Sequence, residues 1–315
     1  MNPLTGLYGA ATALRNTLFD RGVLSSRRLE RPVVSVGNLS VGGSGKTPFA
    51  IALGELLKAR GIRFDVLSRG YGRKTRGVLI VETNGNAADF GDEPLLIARR
   101  LGVPVIVGES RYEAGRVAER KFQTQLHILD DGFQHRSLVR DFDIVLMTER
   151  DFDDRLLPSG RLREPLSSLR RADAIVSPAG LAVDHPALRQ KPIWRIEREL
   201  VLPSLPSAPV VFCGIARPEQ FFAQVRAAGI TPAAEIEFRD HHAYDRSDIA
   251  RLLAMHGNLG ASGFLTTEKD AVNLGSLQAD LKPFAVAALS LTLHHPADVV
   301  DAILARTIFA RIISQ

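Results

Sequence analysis

Short apolar, β-branched runs alternate with stretches of helical period through most of the chain. Residues 33–36, 63–67, 78–81, 105–107, 126–129, 144–147 and 174–176 read as strands, mostly apolar throughout and therefore buried on both faces. Between them, residues 48–57 carry Ile51, Leu53, Leu56 and Leu57 on one side of a helix, and residues 94–101 and 111–121 read as further helices. Strands alternating with helices predict a parallel α/β sheet covered by helices on both faces. A proline-rich passage at 191–209 breaks the rhythm, and strands at 210–212, 234–238 and 263–266 resume it. The expectation is two units: residues 1–200, and a smaller α/β unit over 201–315.

The first strand-to-helix junction, GNLSVGGSGKTP, carries chemistry. Ser40, Val41, Gly42, Gly43, Ser44, Gly45, Lys46 and Thr47 form a glycine-rich loop that enters a helix, so backbone N–H groups and the helix N-terminus converge where a phosphate would sit. Lys46 adds a mobile cation and Thr47 a hydroxyl suited to Mg²⁺, the logic of a Walker A loop. The strict template places glycine where this chain has Ser40, and Gly37, Gly42 and Gly43 supply the backbone freedom instead.

Composition narrows the setting. The 315 residues exceed what one core usually fills, and 45% hydrophobic with 24% charged residues is ordinary for a globular chain. A lone cysteine, Cys213, allows no intrachain disulfide and reads as a small buried hydrophobe. No run of eighteen apolar residues spans a bilayer, and residues 1–22 lack the apolar core of a signal peptide, which points to the cytosol. The net charge of +5 asks for anionic partners. Without a helix-turn-helix, a zinc finger or aromatic-basic interleaving, nucleic acid is not expected among them. In residues 1–22, Leu4, Leu7, Tyr8, Ala11, Leu14 and Leu18 recur at helical spacing, with Arg15, Arg21, Arg27, Arg28 and Arg31 in or after the stretch. Such a helix suits an anionic membrane surface or the protein's own core, and the pattern leaves both open.

Polar clusters fall at strand ends, where open α/β sheets bind ligands. In LHILDDGFQH an apolar strand delivers Asp130 and Asp131, a Walker B arrangement for Mg²⁺. Asp92 and Glu93 stand before Pro94, which taken alone also reads as a helix start. SRGYGR brings Arg69 and Arg73, and GRLREP brings Arg161, Arg163 and Glu164. Beyond residue 200, FRDHHAY supplies Asp240, His241 and His242, and LTTEKDAV supplies Glu268, Lys269 and Asp270. A GTPase is disfavoured, since TEKD lacks the guanine-reading [NT]-K-x-D spacing.

The ordered set GNLSVGGSGKTP, SRGYGR, GDEP, DDGFQH, LREP, DHH and TTEKD closely resembles the tetraacyldisaccharide 4′-kinase family. The resemblance implies an ATP- and Mg²⁺-dependent kinase, peripheral on the cytoplasmic face of the inner membrane. It would phosphorylate the 4′-hydroxyl of tetraacyldisaccharide 1-phosphate to give lipid IVA. Carried onto this chain, it makes Lys46 and Thr47 the triphosphate and Mg²⁺ contacts, and Asp130 and Asp131 the Walker B pair. Glu93 and Glu164 become further magnesium-shell carboxylates, and Arg111 and Arg163 stabilise charge on the transferred phosphoryl group. Asp92 becomes the catalytic base, with His241 as its partner, while the adjacent His242 leaves that register open.

Overall fold

The structure is a computed structural model that describes residues 2–181, 185–203 and 207–313. Residues 204–206 of the proline-rich passage therefore lie outside the described residues. Helix α1 (Pro3–Asp20) precedes β1 (Val33–Asn38), α2 (Lys46–Ala59), β2 (Phe64–Ser68) and β3 (Leu79–Ile80). Helices α3 (Ala87–Phe90) and α4 (Asp92–Leu101) lead to β4 (Val105–Val107), α5 (Arg111–Lys121), β5 (Leu126–Asp130), β6 (Phe142–Leu146) and α6 (Arg150–Asp153). After β7 (Ala174–Pro178) come β8 (Ile193–Val201), β9 (Val210–Cys213), α7 (Pro218–Ala227), β10 (Ala234–Glu237) and α8 (Arg246–Leu259). The described chain closes with β11 (Phe264–Thr267), α9 (Glu268–Leu274), β12 (Phe284–Leu293), α10 (Pro296–Arg306) and α11 (Ile308–Ile313).

The twelve strands of the described residues lie in one sheet, ordered β10-β9-β11-β12-β8-β7-β6-β1-β5-β2-β4-β3. The pairing is parallel except at the β3 edge and between β8 and β12. The central strands β1, β2, β5 and β6 are buried along their full length, as the unbroken apolar runs require of a sheet covered on both faces. Cys213 is buried in β9.

Two strands lie where none was anticipated. β8 runs through the passage read as a break, and its antiparallel partner β12 joins the strands after residue 209 to those before it, with Arg198 opposite Leu291. The largest apolar cluster also draws on both parts of the chain. It packs Phe49, Leu53 and Leu57 of α2 with Leu291 and Leu293 of β12 and with Val299, Val300 and Ile303 of α10. A second cluster around Phe212, Ile236, Tyr244, Leu252 and Phe264 belongs to residues beyond 209.

Helix α1 docks with its polar side inward. Asn16 is its one buried residue and donates to Glu164 Oε2 at 2.7 Å, while Tyr8 Oη donates to the Arg163 carbonyl at 3.0 Å. Leu4, Leu7 and Leu14 stay 60–68% exposed. No described helix is long and apolar enough to cross a membrane.

Candidate active site

Parallel pairing sets the site at the carboxyl ends of the central strands. β1 and β5 run side by side with Val36 opposite Asp130, so the loop after β1 and the carboxylates after β5 emerge together. The loop turns at Gly42 (φ +95°) and at Gly45 (φ +87°), the residue before α2. Both conformations favour glycine. Lys46 opens α2, two residues earlier than the periodicity predicted. Its Nζ donates to Asn38 Oδ1 at 3.0 Å and lies 3.4 Å from Asp131 Oδ1. Thr47 follows in the first helical turn and is buried. Ser40 and Ser44 are buried as well, whereas Val41, Gly42 and Gly43 line a cleft of about 680 Å³ together with Arg161 and Arg217.

Asp130 ends β5 in full burial. Ser68 Oγ donates to its Oδ2 at 3.3 Å, but its Oδ1 has no hydrogen-bond partner. Burial pushes the Asp130 carboxyl up to about 7, and the charges of Glu93 and Asp131 add to the shift while Lys46 opposes it. A buried carboxylate oxygen without a donor, repelled by two neighbouring carboxylates, is a site that a cation would relieve. Asp131 behaves oppositely. Burial works against its charge, yet Lys46 and Arg163 hold it below the usual carboxylate range. Arg163 Nη1 donates to Asp131 Oδ2 and Oδ1 at 2.9 and 3.0 Å and to Gln134 Oε1 at 3.3 Å. Arg111, at the start of α5, faces the same carboxylates; burial, with Arg69 nearby, lowers its guanidinium to about 10.

Asp92 and Glu93 form the first turn of α4 after Gly91 (φ +88°), so the helix-start reading and the functional one describe the same residues. The Asp92 carboxylate is buried and meets His241 Nδ1 at 2.8 Å through Oδ2 and 3.1 Å through Oδ1. Asn273 Nδ2 donates to Oδ2 at 3.1 Å, and Lys269 Nζ lies 3.8 Å away. Burial would raise the Asp92 carboxyl, but His241, Lys269 and Asn273 together hold it below its ordinary value. The same pairing, chiefly against burial, raises the His241 imidazole. His241 reaches this position from a φ of +58°, and its ring lies 5.1 Å from that of Tyr71. His242 turns away to Asp248 Oδ2 at 2.8 Å and stacks on Phe238, so of the adjacent histidines it is His241 that pairs with Asp92.

Glu164, the further carboxylate expected in the magnesium shell, is buried directly after Arg163. Both oxygens of Glu164 accept from Arg171, at 3.1 and 2.9 Å, and Oε2 also accepts from Asn16. These bonds tie Glu164 to Arg171 and, through Asn16, to α1. Two residues not singled out in the sequence, Asn38 and Asn273, belong to the cluster, together with Lys269 of the TTEKD run. Asn38 holds Lys46, Asn273 braces Asp92, and Lys269 spans Asp92, Glu93 (4.0 Å) and Asp240 (2.8 Å). Lys269 and Asn273 lie on α9, directly after parallel strand β11, so the same strand-end rule that located Asp130 points to them.

This constellation can be set beside known proteins. A family model described as LpxK, tetraacyldisaccharide-1-P 4′-kinase, matches residues 1–308. The chain belongs to that family. It is 49% identical over 314 residues to the tetraacyldisaccharide 4′-kinase of Koribacter versatilis, covering 96% of this chain and 98% of that one. Against the Aquifex aeolicus enzyme of the same name it is 41% identical over 289 residues, 86% of this chain and 88% of that one. The crystal structure of the "apo" form of LpxK from Aquifex aeolicus in complex with ATP superposes with a TM-score of 0.81 at 35% identity, covering 97% of this chain and 98% of that one.

Proposed function

We propose that the protein transfers the γ-phosphate of ATP to the 4′-hydroxyl of tetraacyldisaccharide 1-phosphate, giving lipid IVA, at the cytoplasmic face of a Gram-negative inner membrane. The observation that carries this reading is the pairing of Asp92 with His241, residues 149 positions apart, beside a phosphate loop. A sugar hydroxyl must lose its proton as it attacks, and the buried Asp92 carboxylate is the acceptor. His241, donating through Nδ1, orients that carboxylate and stabilises the charge around the proton. With His241 supplied from residues 201–315 and Asp92 from residues 1–200, the pair is complete only when the two parts are together.

Lys46 supports the transferring phosphoryl group as its charge redistributes, with Arg111 and Arg163 placed to share that task. The donors present fit Mg²⁺: they are hard oxygens, and one of them, Asp130 Oδ1, is buried without a partner. Thr47, Asp130, Asp131 and Glu93 would hold the ion, which when bound neutralises phosphate charge. Among the described residues no three such side chains converge at ligand spacing.

Membrane association rests on α1. Its outward leucines, with Val23 at 67% exposure and Arg15, Arg21, Arg27 and Arg28 in or just after the helix, suit a helix lying in the headgroup plane of an anionic leaflet. Incubating the protein with ATP, Mg²⁺ and detergent-dispersed disaccharide 1-phosphate tests the whole reading by mass spectrometry. One added phosphate at the 4′ position is expected, and ATP hydrolysis without phosphorylated lipid would contradict it.

A further inference from the structure

Arg198 projects from β8, the strand that joins the two parts of the sheet, onto the phosphate loop. Its Nη2 donates to the Ser44 carbonyl at 2.5 Å, and its Nε is buried with no hydrogen-bond partner. The approach is close enough that a Cβ on Gly45 would fall 2.6 Å from Nη2. Gly45 is thus required twice, by its backbone angle and by this guanidinium. Among the described residues no carboxylate pairs with Arg198, and its proton affinity is lowered by burial and then by the neighbouring Arg217. Arg217, lining the cleft beside Gly42 and Gly43, is itself lowered by burial and by Arg161 and Arg150, with only Asp151 opposing. Two half-buried guanidiniums whose charges act on one another repel unless an anion lies near.

We infer that Arg198 is a nucleotide-positioning residue. It holds the Ser44–Gly45 turn in its phosphate-accepting shape and adds the uncompensated positive charge that draws a nucleoside triphosphate into the loop. The inference rests on the ATP reading above and deepens it, because it ties the loop to the strand through which the two parts of the molecule are joined. It separates two roles, since a brace needs only a donor to the Ser44 carbonyl whereas an anion site needs the charge as well.

Three variants test it by calorimetric ATP affinity and by steady-state kinetics, each with the melting temperature of the nucleotide-free protein as a folding control. Arg198→Gln keeps a donor and loses the charge. It is expected to weaken ATP binding and raise KM for ATP by about ten- to hundredfold, the range for losing a hydrogen bond to an ionised group, with kcat at saturating ATP within a few-fold of wild type. Arg198→Met, which loses the donor as well, should weaken ATP binding further than Arg198→Gln, and Arg198→Lys, which keeps both, should recover part of the loss. Wild-type ATP affinity in Arg198→Gln, or Arg198→Lys no better than Arg198→Met, would overturn the inference while leaving the kinase reading intact. Failure of the wild-type protein to bind ATP would overturn both.

Discussion

Lys46 stands between Asn38 and Asp131, so its ammonium is held at the mouth of the loop by one neutral and one charged partner. Lys46→Ala is expected to remove turnover by at least about 10²-fold, because a cation facing the transferred phosphate acts mainly on transition-state charge. Circular dichroism should show the fold unchanged, and near wild-type activity at saturating ATP would contradict the loop assignment. Asp130 invites a change of the opposite kind. Its unpartnered Oδ1 makes the buried charge a burden on the metal-free protein, so Asp130→Asn should melt higher than wild type at neutral pH while losing most Mg²⁺-dependent activity. A scanning-fluorimetry comparison without metal checks the first half, and a Mg²⁺ titration of the rate checks the second.

Among the elements, α1 shows what periodicity can and cannot decide. Its stripe at Leu4, Leu7, Ala11 and Leu14 identified a helix, but not which side faces the body, because Asn16 and Tyr8 make specific bonds that no hydrophobicity pattern encodes. Replacing Leu4, Leu7 and Leu14 together by Ser should leave the melting temperature within a few degrees, since those side chains are exposed. It should also reduce sedimentation with anionic vesicles, and vesicle binding equal to wild type would remove the membrane role. β5 carries a different test. His127 is wholly buried against Asp65 at 2.8 Å, with Glu119 at 3.4 Å; burial alone would lower the imidazole, but the two carboxylates hold it at about 9 against an ordinary 6.5. A group raised in the folded state contributes stability that is complete below 6.5 and disappears as pH rises through 9. Urea midpoints for the wild type should therefore fall across that window relative to those of His127→Gln, and parallel pH profiles would show that the pair is neutral in the native protein.

At the scale of the whole molecule, the parallel half of the sheet was legible because its strands are unbroken apolar runs separated by helical periods. β8 was not. Its exposed Glu197 and Glu199, with the charged Arg198 between them, dilute the apolar signal of Trp194 and Ile196, and the prolines at 203, 206 and 209 mark a break that begins only after the strand ends. Local pattern also could not reveal that α10 returns to pack beside α2, which depends on contacts between chain ends. The phosphate loop and Asp130 could be read because backbone geometry and strand ends localise them within a dozen residues. The partners Lys269 and Asn273 meet Asp92 only through tertiary packing of α9 against α4. His241, from the loop after β10, likewise meets Asp92 only in the folded chain, and the coupling of the two is the most direct test of the account. Steady-state kinetics on Asp92→Ala, His241→Ala and the double variant, with ATP and dispersed lipid acceptor, should give single-variant losses in kcat of about 10² to 10⁴, with the double variant far less impaired than their product. Losses that multiply, or a His241→Ala variant with wild-type kcat, would contradict it.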